Sequence, residues 1–181
     1  MLFRSKGAVT VELAAGGTQS LRARKEIVIA TGSSPRSVPG ITIDHQRIIT
    51  SDEAIHLKDV PASIAIMGSG AVGVEFASIF HRFGSKVTIV ELLPRLVPVE
   101  DEAVSAELEK SFKKRGIVCH TGAKVTAAKA GRDGVDVTLQ TADGAAQTIN
   151  VSLLLVATGR GPVTTGLGAE GVGLAIDRKS T

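Results

Sequence analysis

The sequence predicts an α/β fold: a parallel sheet with helices laid against it, followed by an antiparallel β-meander. Three observations carry this expectation. The stretch "SIAIMGSGAVGVEF", Ser63 to Phe76, passes from an apolar strand through three glycines into helical spacing. Strand-like and helix-like segments then alternate as far as Cys119. Beyond it, strands of period two take over, with Val135, Val137 and Leu139 as the clearest run.

The first elements read as β. Val9, Val11 and Leu13 alternate with polar residues, "AAGG" follows, and Leu21 and Ala23 resume the alternation, as in a hairpin with a loose glycine turn. "EIVIATGSSPRSVPG" reads as a continuous apolar strand stopped by Gly, Ser and Pro. Residues 41–61 are mixed and polar, and one short helix at Asp52–Leu57 is expected in what is otherwise a connector.

From Ile64 the periods are cleaner. Ile64 and Ile66 belong to a strand, and Val72, Phe76, Ile79, Phe80 and Phe83 recur on one helical face. Gly84 stands where a helix C-terminus belongs, and "KVTIVE" is the next strand. A second helix starts near Asp101 and Glu102, carries Val104, Leu108 and Phe112, and ends in Lys113, Lys114, Arg115 and Gly116. The basic run is therefore a helix end and not a binding patch. "IVCH" is a third strand. A strand around Val125, an alternating strand at Val135–Leu139, an "ADG" turn and a last strand from about Ile149 to Ala157 complete the order.

Composition narrows the classes. The chain has 181 residues, room for one full domain or for one domain and a fragment. An apolar share of 43% and a mean hydropathy of +0.22 indicate a packed core rather than disorder. "SLLLVATG" is the most apolar segment and is too short to cross a bilayer, and the N-terminus does not read as a leader. A cytoplasmic protein without membrane association is expected. With no Trp or Tyr and only five Phe, platforms for stacking nucleic-acid bases are scarce, and no nucleic-acid partner is expected. The single cysteine, Cys119, excludes disulfide scaffolds, CxxC redox pairs and cysteine-based zinc sites within the chain, and no metal site is expected.

The glycines carry the chemistry. A helix N-terminus has unpaired N–H groups and about half a positive charge, and a diphosphate reaches it only where no side chain blocks the way. In G-x-G-x-x-G the first glycine makes the tight turn, the second admits the phosphates, and the third lets helix and strand pack closely. Gly68, Gly70 and Gly73 fit these roles in order, with Ser69, Ala71 and Val72 between them. In a chain with 20 glycines the pattern alone is weak. Here it follows a strand, opens a helix and is followed by a second strand ending in Glu91, at the spacing of roughly 20 residues expected for an acid on the adenosine ribose. A Rossmann-like three-layer NAD-binding domain follows, against a bare structural turn as the bland reading. Glu91 favours NAD over NADP, because its carboxylate repels a 2′-phosphate and the nearest arginine, Arg95, lies beyond Pro94. Glu75 falls in the first turns of the same helix, where pairing with the helix dipole is an equal alternative to a place near the nicotinamide.

These stretches, together with "TSDEAIHL", "VTIVELLPRLVP", "TGAKVT" and "LLLVATGRGPVTTGLGAEGVGL", resemble the flavoprotein disulfide reductases, most closely their dihydrolipoamide dehydrogenase branch. The resemblance spans nearly the whole chain in the family's order. It implies electron flow from a dithiol pair to FAD and on to NAD, with lipoyl domains of 2-oxo acid dehydrogenase complexes as partners and a homodimeric parent. Glu75 then matches the nicotinamide-side glutamate, Val125 a position whose backbone meets the adenine, and Gly159 one beside the nicotinamide. Thr31, Gly32 and Ser33 resemble the first Ala-Thr-Gly turn, which touches FAD in the intact enzymes.

The departures are as informative. The family's FAD glycine motif and redox cysteine pair, its later FAD motif and its C-terminal interface domain with catalytic His and Glu have no counterparts here, so no catalytic residue is assigned. Cys119 matches no redox position and reads as a small buried apolar residue; His45, His56, His81 and His120 match no catalytic one. The chain therefore reads as an internal fragment, inactive alone: residues 1–40 from an FAD-binding domain, 41–61 a connector, 62–158 the NAD-binding domain and 159–181 the start of the return to the FAD domain. Two alternatives stand beside it. One is the NAD domain of another NADH-dependent flavoprotein reductase, of the mercuric reductase, NADH oxidase or ferredoxin reductase type. The other is a stand-alone nucleotide-binding module.

Overall fold

A computed structural model describes residues 2–5 and 7–176. It divides into two compact units, residues 35–160 and a smaller unit of residues 1–34 with 161–181.

In the smaller unit, Leu2–Ser5 (β1), Ala8–Glu12 (β2) and Thr18–Arg22 (β3) form an antiparallel sheet in the order β1-β2-β3. The expected hairpin is β2 and β3, with Val9 opposite Leu21, and its turn contains Gly16 and Gly17 at φ 87°. The expected strand at Ile27–Ala30 does not form: this stretch has no regular structure, and Val28 is 84% exposed. An apolar run becomes a strand only where neighbours take up its N–H and C=O groups. No strand of the unit pairs with it among the described residues. The next strand is Ser33–Pro35 (β4), which pairs with a late strand introduced below.

The larger unit is built in three layers. Ile48–Thr50 (β5) precedes a one-turn helix, Ser51–Ala54 (α1). Thr50 caps that helix through a reciprocal capping box with Glu53. Burial alone would raise the Glu53 pKa. Hydrogen bonds from the Thr50 hydroxyl, the Thr50 amide and His45 instead bring it from 4.5 to about 2. Ser63–Met67 (β6), Ala71–Arg82 (α2), Lys86–Val90 (β7), Glu102–Arg115 (α3) and Val118–His120 (β8) then supply the β-α-β-α-β run. Lys124–Ala130 (β9), Val135–Gln140 (β10) and Ala146–Val151 (β11) form the meander, and Leu153–Val156 (β12) returns to the parallel sheet, whose order is β5-β12-β6-β7-β8. Arg160–Pro162 (β13), of which Gly161 and Pro162 belong to the smaller unit, pairs with β4, which lies mostly in that same unit.

In the parallel sheet two strands differ from the expectation. The segment expected to be only a connector with a helix contributes β5, an edge strand parallel to β12. The last strand, expected as one piece from Ile149 to Ala157, is two: β11 closes the meander, the chain turns at Ser152, and β12 enters the other sheet. The physical reason is that the two halves need partners in different layers.

Side-chain alternation divides the core. From the parallel sheet, Ile49, Ile64, Ile66, Val87, Ile89, Leu153 and Leu155 point to a cluster shared with Ala77 and Phe80 of α2 and Phe112 of α3. Ile48, Ala65, Val90, Leu154 and Val156 point the other way, onto Val125, Val135, Val137, Leu139 and Val151 of the meander. Being covered on both faces, the parallel strands are apolar throughout rather than alternating. The helices are turned slightly from the predicted faces. On α2 the buried line is Gly73, Ala77 and Phe80, leaving Ile79 44% and Phe83 66% exposed; on α3 it is Ser105 and Phe112, with Val104 exposed.

Candidate functional site

Where β6 ends, Gly68 takes φ +100°, and a Cβ there would stand 2.7 Å from the Ala157 carbonyl oxygen. A Cβ at Gly73 would overlap the carbonyl oxygen of Gly68 itself. These two glycines are compulsory for the turn to close and for α2 to lie against it. Gly70 differs: nothing stands within 4 Å of its added Cβ. The space over Gly70 is open, and Gly70 is the N-cap of α2 with no side chain capping the helix. The first-turn amides of α2 thus meet the surroundings without a protein acceptor on their cap residue, with the positive end of the helix dipole behind them. That arrangement has the shape and charge to suit a phosphate or diphosphate.

Glu91 follows the last residue of β7. It is 7% exposed, and its carboxylate is held from three sides. Ser69 donates its amide to Oε2 at 2.7 Å and its hydroxyl to the same oxygen at 2.8 Å, while the Leu93 amide donates to Oε1 at 2.9 Å. The Glu91 backbone is fixed as well, its N–H donating to His120 O and its C=O accepting from Ala123 N. A carboxylate has about four acceptor positions, so one on Oε1 is left for a hydroxyl.

A cavity of about 690 Å³ joins these features. It is lined by Gly68, Ser69, Gly70, Ala71 and Val72 at the helix mouth and by Glu91 beside them. Val125 and Gly159, assigned through the resemblance, also lie on its wall. Gly159 has φ +108°, and its carbonyl accepts from Arg36 N at 3.0 Å. Several other residues of the wall were not singled out in the sequence, among them Val38, Pro39, Leu92, Leu93, Thr158 and Lys124. The signal available was adjacency, since Leu92 and Lys124 directly neighbour Glu91 and Val125.

Glu75 is placed differently. It is exposed on α2 and is not on the cavity wall. Gly73 faces the sheet, and a residue two positions later points to the opposite side of a helix. Thr31, Gly32 and Ser33 belong to the other unit. There the Thr31 hydroxyl donates to the Val163 carbonyl at 2.5 Å and Gly32 O accepts from Val163 N at 3.0 Å, Gly32 having φ +76°.

Two other residues weighed in the sequence, Cys119 and Arg95, have structural partners. Burial and, secondarily, the nearby Glu109 push the Cys119 thiol up to about 11, so it stays protonated and packs as a small apolar group. Arg95 pairs with Glu102 at 2.6 Å and donates to the carbonyls of Pro98 and Glu100. Among the described residues no cluster of His, Cys, Asp and Glu suits a metal ion, and no helix is long and apolar enough to cross a membrane.

Comparison with known proteins places this chain in a family. The chain is 46% identical over 170 residues to a dihydrolipoyl dehydrogenase of Chlorobaculum tepidum, covering 94% of this chain and 36% of that one. It is 44% identical over 174 residues to dihydrolipoyl dehydrogenase 3 of Pseudomonas putida, covering 96% and 37%. Among solved structures it is similar to the HOCl-induced flavoprotein disulfide reductase RclA of Escherichia coli, with a TM-score of 0.84, 30% identity and coverage of 99% of this chain and 40% of that one. LpdA of Mycobacterium tuberculosis gives a TM-score of 0.83 at 33% identity, over 94% and 36%. The chain thus spans little more than a third of the length of these relatives. The profile of the pyridine nucleotide-disulphide oxidoreductases matches residues 2–181, and the chain belongs to that family.

Proposed function

We propose that residues 62–158 form the NAD(H)-binding portion of a dihydrolipoyl dehydrogenase, the diphosphate seated on the mouth of α2 and the adenosine ribose on Glu91. The observation that carries this reading is the juxtaposition, on one cavity wall, of an uncapped helix mouth with open space over Gly70 and a buried carboxylate with an acceptor position to spare. Helix amides neutralise the diphosphate charge, and Glu91 selects a free 2′-hydroxyl. Val125, Leu92 and Leu93 offer the apolar surface an adenine needs, and Gly159, bare of a side chain, leaves room at the nicotinamide end. Glu75, exposed on α2 and outside the cavity wall, keeps its nicotinamide-side role in this proposal on the family likeness alone.

In the longer enzyme, FAD passes electrons between a dithiol and the nicotinamide. The turn of Thr31, Gly32 and Ser33 is this chain's contribution to that flavin's surroundings, and residues 1–40 and 159–181 belong to the flavin domain. Oxidation of dihydrolipoamide, docking to lipoyl domains, dimerisation and a cytoplasmic location belong to the same proposal, as does inactivity of the 181-residue chain by itself.

Titration of the purified chain with NADH, followed by nucleotide fluorescence, should show saturable binding and no flavin absorbance. Glu91→Ala should weaken NADH binding by about 10-fold or more, as loss of a charge-assisted hydrogen bond implies, and should narrow the preference over NADPH. A preference that survives Glu91→Ala unchanged removes Glu91 from the role.

A further inference from the structure

Resting on the reading that Glu91 holds the ribose, we propose that Ser69 is a specificity-determining positioning residue, whose hydroxyl locks the Glu91 carboxylate and so keeps 2′-phosphorylated nucleotides out. Four observations lead there. Ser69 is completely buried, and both of its donors converge on one carboxylate oxygen of Glu91. Its third polar group is also engaged, Ser69 O accepting from Val97 N at 3.0 Å. Val97 is a buried β-branched residue at φ +41°, a conformation such side chains rarely adopt, and its carbonyl accepts from Ser105 Oγ at 3.3 Å. The loop after β7 is thus tied to the glycine turn at a strained residue, and Ser69 is held at both ends.

The fourth observation is Lys124, exposed on the wall of the same cavity. Exclusion of a 2′-phosphate therefore does not follow from the want of a cation. Lys124 would attract the phosphate, and only the fixed negative charge of Glu91 opposes it. A carboxylate on a loosely held side chain escapes such a clash by rotating about its own torsions. One held by two donors on Oε2 and a third on Oε1 cannot turn without breaking them. Ser69 contributes the one side-chain donor of the three. Without it, Glu91 keeps its charge but gains freedom to swing aside.

The test is competitive titration of the 181-residue chain with NADH and NADPH, comparing wild type, Ser69→Ala, Glu91→Ala and the double variant. Ser69→Ala should alter NADH affinity less than about 3-fold while lowering the NADH/NADPH preference roughly 5-fold, as loss of one of three charge-assisted donors suggests. In the Glu91→Ala background the same substitution should leave the preference unmoved, because Ser69 acts only through Glu91. A merely structural hydroxyl would instead weaken both nucleotides equally in both backgrounds. An unchanged preference in Ser69→Ala, or an equal loss with and without Glu91, overturns the proposal. Ser69→Gly deletes the same hydroxyl and replaces Ser69→Ala should the latter misfold. Failure of wild type to bind either nucleotide defeats the ribose reading and this inference with it, whereas wild-type selectivity with an indifferent Ser69→Ala defeats this inference alone.

Discussion

At the scale of single residues, the three motif glycines do unequal work, and their surroundings say which. Gly68 and Gly73 are surrounded by backbone, so an added methyl has nowhere to go. Gly70 has φ −64° and ψ −179°, which alanine adopts readily, and open space around it. Gly73→Ala should therefore cost about 4 kcal/mol of stability or prevent folding. Gly70→Ala should leave the melting temperature within the range of ordinary surface changes, about ±0.5 kcal/mol, yet weaken NADH binding at least 10-fold by placing a methyl in the phosphate path. Thermal melts with NADH titrations separate the two, and a destabilised but tightly binding Gly70→Ala would contradict the assignment. The motif's spacing assigned the tight turn to Gly68, phosphate access to Gly70 and close packing to Gly73. The structure adds what lies opposite each missing Cβ: backbone at Gly68 and Gly73, open space at Gly70.

At the scale of elements, α2 shows how far periodicity reaches. Its apolar stripe correctly announced a helix, and Gly84 correctly marked its end, at φ +99° just past the Phe83 cap. The stripe misplaced the buried line, because the sheet accepts α2 along small residues, Gly73 and Ala77, that hydropathy weighs lightly. Phe80 ends that line, 4% exposed and stacked on Phe76 with ring centroids 5.9 Å apart. Phe80→Ala should cost about 3–5 kcal/mol, while Ile79→Ala, one position away on the same predicted face, should cost under about 1 kcal/mol. Urea unfolding of the two variants checks this, and equal losses would restore the sequence-based face. Likewise Ile149–Ala157 read as one strand because both halves are apolar; the break at Ser152 exists because β11 and β12 belong to different sheets.

At the scale of the whole molecule, the two units differ in how much they bury. Residues 35–160 enclose two apolar clusters around a parallel sheet. In the smaller unit, residues 23–32 have no regular structure, and Arg24, Lys25, Val28 and Ile29 are exposed. Backbone of that kind opens at little cost. Brief trypsin digestion should cut first after Arg24 or Lys25, leaving the β6-α2-β7 region in one piece, as mass spectrometry of the earliest fragments will read. An initial cut within Ser63–Val90 would show that the parallel sheet is not the stable body of the protein.

By itself the sequence determined the order of strands and helices from Ser63 as far as Gln140, the glycine turn, and the acid at the end of the strand that follows it. Each of these follows from local rules: period, cap and turn chemistry act over a few residues and are written in neighbouring letters. Tertiary structure alone decided that Ile48–Thr50 joins the sheet as an edge and that Ile27–Ala30 pairs with nothing among the described residues. It also decided that Glu75 stands off the cavity and that Lys124 stands on it. Those outcomes depend on which distant groups meet a segment, since a strand needs partners and a cavity needs walls, and both come from parts of the chain far away in sequence.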